Sequence, residues 1–551
     1  MASLLMLEQG SGSRPPDQHE VQDLMHLRGR AIDFARRRLN TVTALAAVVV
    51  IAMACSATAQ IETAETALQG PTRPPVETTA PASEPISEPT APAADPTPSS
   101  PDPTAIAEDP TATPDPTPTA PPAFVQGTPG NGPAGPCDAA PLALPDPNRP
   151  RYRGAIAIDP AARTIAGQLE IAFTPDLDTD EIVVRLWPNG PRTALAGVTS
   201  TLTSAAIEGD AVTIDQRLPT LISLPLDDTL AAGETITVEL TFEAVVPVEL
   251  RSRLSGRDDY MRLGTIMPLL PWEPGVGWAT DAPTSLFAEA VSSPTADYEI
   301  NVSVPEGFDV LASGQVDDEG TWRMSAGRDF ALTVGRFRTV TGTAMAPEPV
   351  AITVGVHETV DDDAQVYLDK IVASLEQFSQ RFGQYPWPSL TFSITPNLGG
   401  GIEFPTHIMQ GPDTQGRVTS HEIGHMFFYS LVGNNQGTEP WLDEGITSYA
   451  EFTFEQTAPF SYEIPAEGEG LATRPMTFWE TMPGIYYRSV YSQTGFALQL
   501  LGDQDDVDCA LARYVAANAY GIATADDFVD AFLPTFPDLI NQLAELGVNL
   551  E

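Results

Sequence analysis

Thr419-Ser420-His421-Glu422-Ile423-Gly424-His425 is the stretch on which the reading of this chain turns. Thr419 or Ser420 can cap a helix there, and Met426, Phe427, Phe428, Leu431 and Val432 continue it towards Gly433. On such a helix His421 and His425 stand one turn apart on the same face, a spacing at which two imidazoles can bind one Zn2+. Glu422 lies beside them, where a carboxylate can take a proton from a metal-held water and hand it to a leaving group. The chain has only six histidines, so two at this spacing around a glutamate is an uncommon accident.

A catalytic zinc of this kind needs a third protein ligand. Trp441-Leu442-Asp443-Glu444-Gly445 opens the next amphipathic stretch, which runs through Ile446 and Tyr449 to Phe452, and 18 residues separate Glu444 from His425. That gap suits one helix ending, a loop through Gly433 and Gly437, and a second helix returning antiparallel. Glu444 would then complete a two-His, one-Glu site with an open fourth position. Glu451, two turns further on the same face, can accept the other ring N–H of a zinc-bound histidine.

Together, H-E-x-x-H, the 18-residue gap and a glutamate inside W-L-x-E-G-x-x-x-Y resemble the aminopeptidase N family of zinc peptidases. Gly400-Gly401-Ile402-Glu403-Phe404 resembles that family's Gly-Ala-Met-Glu-Asn exopeptidase motif, with Phe404 in place of the asparagine. Arg151-Tyr152 through Phe173 resembles the first strands of its N-terminal β-saddle. The likeness covers roughly residues 145–551 and is strong over 385–452. It implies a thermolysin-like catalytic domain in which His421, His425 and Glu444 hold one Zn2+ and Glu422 is the general base. Glu403 would hold the substrate's free α-amino group, and Gly401 would lie on the strand that binds the peptide backbone. The family also has a tyrosine, in Tyr-x-x-Gly, that donates to the oxyanion. Tyr491-Ser492-Gln493-Thr494-Gly495 carries one residue more than that spacing, so Tyr491 is the candidate and Tyr487 the reserve.

Outside this region composition sets the frame. The chain has 551 residues, 28 Lys+Arg against 74 Asp+Glu, a net charge of −46 and a single lysine, Lys370. Such an acidic surface repels phosphate backbones, so nucleic-acid binding is all but excluded. Three cysteines rule out a disulfide-dense scaffold and a four-cysteine zinc module. Cys137 and Cys509 are able to pair in an oxidising compartment. Thr41 to Ala54 is a mostly apolar run that ends at Cys55 and follows Arg28, Arg30, Arg36, Arg37 and Arg38. It is short for a membrane span and fits a bacterial lipoprotein signal, with Cys55 lipidated and the protein anchored to the envelope outside the cytoplasm. A plain signal peptide or a short uncleaved anchor is the alternative, and Met25 is a second possible start.

From Pro71 to Pro136 there are 20 prolines and one aromatic residue, Phe124, the composition of a disordered tether. Beyond it, Leu169, Ile171 and Phe173 alternate with polar residues, as do Ile236, Val238, Leu240 and Phe242. That period predicts an antiparallel β-saddle or sandwich. After about Ala351 the period becomes helical, with Leu368, Ile371, Leu375, Phe378 and Phe382 on one face and Gly383 as a stop. The expected organisation is therefore multi-domain: a targeting segment over 1–55, a linker over 56–143, a β domain over 144–345 and an α+β zinc-peptidase domain over 346–551. Of the weaker candidates, His407 either lines the site or is a polar loop histidine. Trp272, Glu273 and Trp278 either face the cleft or mark a domain seam.

These residues favour a zinc aminopeptidase acting on peptides. Two other readings remain open. About 106 residues follow Gly445, so the large C-terminal helical domain of the family is expected to be missing, and an open cleft would suit an endopeptidase or broader amide hydrolase. The other is a tethered envelope protein without catalysis.

Overall fold

The structure is a computed structural model that describes residues 136–286, 292–460, 468 and 470–550. The apolar run, Cys55 and the segment from Pro71 as far as 135 lie outside the described residues. No helix among the described residues is long and apolar enough to cross a membrane.

In the first domain, alternation in sequence becomes alternation in burial. Along Thr164–Phe173 the side chains of Ile165, Leu169, Ile171 and Phe173 are buried while Ala166, Gln168 and Glu170 face out. This strand pairs antiparallel with Arg151–Asp159 on one side and Ile236–Val245 on the other, inside an eight-stranded sheet. Gly167 faces Phe242 across the ladder, and any Cβ there would overlap the ring. One pairing departs from the antiparallel expectation: Arg151–Asp159 runs parallel to Ala296–Ser303. The long stretch between these strands supplies the crossover that parallel neighbours require.

A four-stranded sheet containing Leu254–Gly256 and Tyr260–Leu263 forms the seam with the second domain. The buried Arg262 clasps that seam: Nε donates to the Ser252 carbonyl at 2.9 Å, and Nη1 donates to Thr395 Oγ1 at 2.8 Å and the Pro396 carbonyl at 2.9 Å. The Trp272–Glu273 and Gly277–Trp278 hairpin also meets the second domain, where Asn435 Nδ2 donates to Glu273 Oε1 at 2.7 Å.

The second domain is built on a mixed five-stranded sheet, in the spatial order Phe337–Met345, Pro349–His357, Ser389–Ile394, His407–Gln410 and Gly401–Phe404. The first two strands form a hairpin, so this sheet begins ahead of the boundary expected at 346. All six residues of Ser389–Ile394 are buried, as suits a central strand covered on both faces. Helix Ala364–Phe382 crosses between its parallel neighbours with Tyr367, Leu368, Ile371, Leu375 and Phe378 inward. Asp363 caps its start at 2.9 Å, and Gly383, at φ 120°, ends it where a left-handed residue is needed.

Residues 136–143, expected to belong to the linker, are part of the folded head. Cys137 is bonded to Cys509 with 5.4 Å between Cα atoms, and the Ala143 amide donates to the Ala516 carbonyl at 2.8 Å. Ala139 packs with Ala512 and Ala516 of helix Gln504–Asn518.

Candidate active site

Two helices build the site. The first, Arg417–Gly424, carries His421 and ends on His425 as its C-cap. It begins after Gly416 with no side-chain cap, so Thr419 and Ser420 are inside the helix instead of capping it. Thr419 Oγ1 accepts from Gln410 Nε2 at 2.9 Å, and Ser420 donates to Glu455 Oε1 at 2.6 Å. After His425 the chain continues as a π segment, Met426–Leu431, kinked at Phe428 and Tyr429 where the backbone leaves helical angles, and ends at Val432, close to the stop expected at Gly433. The second helix, Pro440–Phe454, is buried at every residue from Pro440 to Phe452, so Glu444 and Glu451 are carried through the core.

Three donor atoms converge. Nε2 of His421 and Nε2 of His425 are 3.2 Å apart, and Oε2 of Glu444 lies 3.3 Å from the first and 3.2 Å from the second. Tetrahedral zinc with Zn–N bonds of about 2.0–2.1 Å separates its ligand atoms by about 3.3 Å. The triangle therefore fits one zinc ion. Two imidazole nitrogens facing each other across a carboxylate oxygen also have no arrangement of protons that suits all three pairs as well as a shared cation does.

The outward nitrogens are held as well. Oε2 of Glu451 lies 3.1 Å from Nδ1 of His421. Oδ1 of Asp443 lies 2.6 Å from Nδ1 of His425, with Thr447 Oγ1 3.2 Å from the same nitrogen. The other oxygen of Asp443 accepts from the Gln436 side chain. Sequence reasoning singled out Glu451 and passed over Asp443. The signal available was an adjacent Asp-Glu pair at a buried helix start, which presents carboxylates to two neighbouring directions at once.

Glu422, Glu403 and His425 form a second group whose ligand atoms all lie within 4.8 Å of one another. Glu403 stands on the edge strand Gly401–Phe404 and is 9% exposed. Gly401 backs directly onto the Glu422 side chain. One carboxylate oxygen of Glu422 is buried without a hydrogen-bond partner.

Five buried carboxylates thus surround two histidines. Burial, reinforced by Glu403 and Glu444 against the pull of both imidazoles, lifts Glu422 to about 8. Burial likewise lifts Asp443 to about 7, against the pull of His425. Burial opposes the charged form of His421, but Glu444 and Glu451 outweigh it and raise it to about 9. His425 is raised well above its ordinary value against the same burial, by Asp443, Glu403 and Glu444. Burial opposes the ionised form of Glu444, yet the two imidazoles hold it far below the usual carboxylate range. The site is a negative pocket that takes up positive charge.

Tyr491 lies over the metal triangle. Its ring stacks on His421 with centroids 5.6 Å apart and planes 11° apart, and its hydroxyl engages Glu444. Tyr487 is 55% exposed on the rim. Tyr486, which the sequence reading did not weigh, is buried against Trp479 and Tyr491 with its hydroxyl unpartnered. The extra residue between Tyr491 and Gly495 has a structural counterpart: Tyr487–Gln493 is a π segment, whose i→i+5 bonds each span one more residue than those of an α-helix. His407 is not at the site. It is buried in the sheet between Thr333 Oγ1 at 3.0 Å and Thr391 Oγ1 at 2.7 Å, and burial pushes it down to about 3.

No family model matches the chain. It is 26% identical to human aminopeptidase B over 294 residues, 46% of this chain and 44% of that protein. It is 25% identical to mouse aminopeptidase B over 289 residues, 44% and 42%. The chain therefore spans under half the length of these curated relatives. Among solved structures it is similar to an M1 zinc metallopeptidase from Deinococcus radiodurans, with a TM-score of 0.53, 16% identity, and 73% of this chain and 94% of that one covered. A two-domain M1 zinc metallopeptidase mutant bound to L-arginine gives a TM-score of 0.55 at 16% identity, over 73% and 95%. The fold is that of the two-domain M1 enzymes.

Proposed function

We propose that this chain, whose fold and curated relatives support the aminopeptidase N, or M1, family of zinc metallopeptidases, is a zinc-dependent aminopeptidase that removes N-terminal residues from peptides. The observation that carries the reading is the nearness of Glu403 to Glu422 and His425, within 4.8 Å, on an edge strand. A carboxylate there pairs with a free α-ammonium and fixes the substrate one residue from its end, while the strand backbone is available to the peptide.

His421, His425 and Glu444 would hold the zinc, in an α+β domain we take to be thermolysin-like. When bound, zinc supplies Lewis acidity to the water and the scissile carbonyl. With a dication balancing the pocket, Glu422 is ionised and accepts a proton from the attacking water. Tyr491 donates its hydroxyl hydrogen to the oxygen that becomes negative as the carbonyl carbon turns tetrahedral. Glu422 then returns its proton to the leaving nitrogen as the C–N bond breaks. Asp443 and Glu451 hold the two imidazoles by their outward nitrogens, and Gly401 keeps the space beside Glu422 open.

We further propose that the protein works outside the cytoplasm, anchored through the segment that ends at Cys55. The Cys137–Cys509 bond supports an oxidising compartment.

The test uses the full chain with fluorogenic amino-acid amides. Free-amine substrates should be cleaved, their N-acetylated forms should not, and a chelator should abolish turnover that added zinc restores. Cleavage of blocked peptides at equal rates would replace this reading with an endopeptidase.

A further inference from the structure

We infer that Arg417 is a positioning residue for the metal, setting zinc affinity from the protein surface through Glu451 and His421. The inference rests on the reading that His421, His425 and Glu444 hold zinc.

Arg417 Nε lies 2.6 Å from Glu451 Oε1, and Nη2 lies 3.5 Å from Oε2. The second of these carboxylate oxygens is the one 3.1 Å from Nδ1 of His421. Oε2 is thus shared between the guanidinium fork and the imidazole, while Oε1 takes the shorter guanidinium contact. The Glu451 side chain is 2% exposed, whereas that of Arg417 is 57% exposed. A chain of contacts therefore runs from solvent to the metal triangle: guanidinium, carboxylate, imidazole.

Helix propensity alone does not favour a cation at this position. It is the first residue of its helix, after Gly416, and that helix end has no side-chain cap. A cation in the first turn opposes the helix dipole and can satisfy none of the orphan N–H groups there. What the position does provide is reach across to the second helix, since Glu451 lies two turns beyond Glu444 on Pro440–Phe454. One guanidinium ties the start of the histidine helix to the helix that carries the third ligand.

The consequence for His421 is directional. With the guanidinium fixing the carboxylate plane, Oε2 accepts the proton on Nδ1, and the lone pair of Nε2 is left for the metal. A lysine would supply charge but not the planar two-point grip that sets this orientation.

The experiment measures the zinc dissociation constant of the full chain by competition with a chromophoric chelator, for the wild type, R417Q, R417K, E451Q and the R417Q/E451Q double variant. R417Q should weaken zinc binding by about tenfold, as expected for a partner outside the ligand set, and R417K should recover only part of it. In the E451Q background R417Q should have no further effect, because its route to the metal is already cut. Wild-type affinity in R417Q, or effects of R417Q and E451Q that simply multiply, would overturn the inference. If R417Q does not fold, R417K decides, and full wild-type affinity in R417K overturns the two-point grip. A wild type that binds no zinc would instead remove the metal reading on which this one rests.

Discussion

Glu403→Gln is the sharpest test of how the site chooses its substrates. The substitution keeps the volume and one hydrogen-bonding oxygen and removes the charge. Glu403 is 9% exposed and sits beside a cluster already crowded with carboxylates, so solvent screens an incoming ammonium only weakly. A charge-assisted contact in such a place contributes about 1.5–3 kcal/mol, a factor of roughly 10–150 in kcat/KM at 1.4 kcal/mol per decade. The loss should fall on free-amine substrates alone. N-acetylated substrates carry no ammonium, so the ratio of the two kcat/KM values should shrink by that factor. A second effect has a definite sign. Glu403 is one of the groups that raise Glu422, so its removal lowers Glu422 and moves the acid limb of kcat/KM to lower pH. An E403Q protein that keeps the wild-type ratio of free to blocked substrate would refute the amine anchor.

Glu422→Gln should retain zinc, measured by metal analysis, while kcat falls by about 10²–10⁴; normal turnover would reassign the base. Asp443→Ala strips His425 of its carboxylate partner and removes the hydrogen bond from Gln436, so zinc should bind about 10–100-fold more weakly in chelator competition; unchanged affinity would show that Thr447 suffices. His407 gives a pH prediction remote from the metal. Its folded pKa of about 3 lies below the unfolded value of about 6.5, so the unfolded chain takes a proton that the folded one refuses. The stability tied to neutral His407 is complete above about 6.5 and lost as pH falls towards 3, by about 2 kcal/mol at pH 5. His407→Gln, still able to bond Thr333 and Thr391, should lessen the drop in denaturant midpoint between pH 7 and pH 5; an identical drop in both proteins would count against it.

The metal triangle was readable because it obeys spacing rules: four residues make one helical turn, and the turn between Gly433 and Gly437 returns the chain antiparallel. Glu451 followed from the same helical arithmetic. Asp443 did not, because it stands next to Glu444 and so off the face that the seven-residue step from Glu444 to Glu451 marks, and only the packing of the two helices brings it to His425. Thr419 and Ser420 look like caps, yet helix Arg417–Gly424 begins earlier. Their hydroxyls are drawn instead to Gln410 and Glu455, which are distant in sequence. The π segments at Met426–Leu431 and Tyr487–Gln493 are invisible to a 3.6-residue pattern, although the second leaves a trace as one residue too many before Gly495. In the β domain alternation located strands but could not give their order, and the parallel pairing of Arg151–Asp159 with Ala296–Ser303 joins residues 146 positions apart. Composition drew the linker too far, to 143, because proline-rich sequence runs up to Pro136 while the chain is already fastened at Cys137.

That fastening decides where a mechanical load would enter. A pull on the chain ahead of Cys137 would be handed by a covalent bond to helix Gln504–Asn518 of the second domain. Arg151–Asp159 with its ladder and the Arg262 clasp at the seam between the domains lie inside the loop that this bond closes. Opening either domain therefore leaves the ends of that loop joined, and the chain entropy gained on unfolding is smaller than it would be for an open chain.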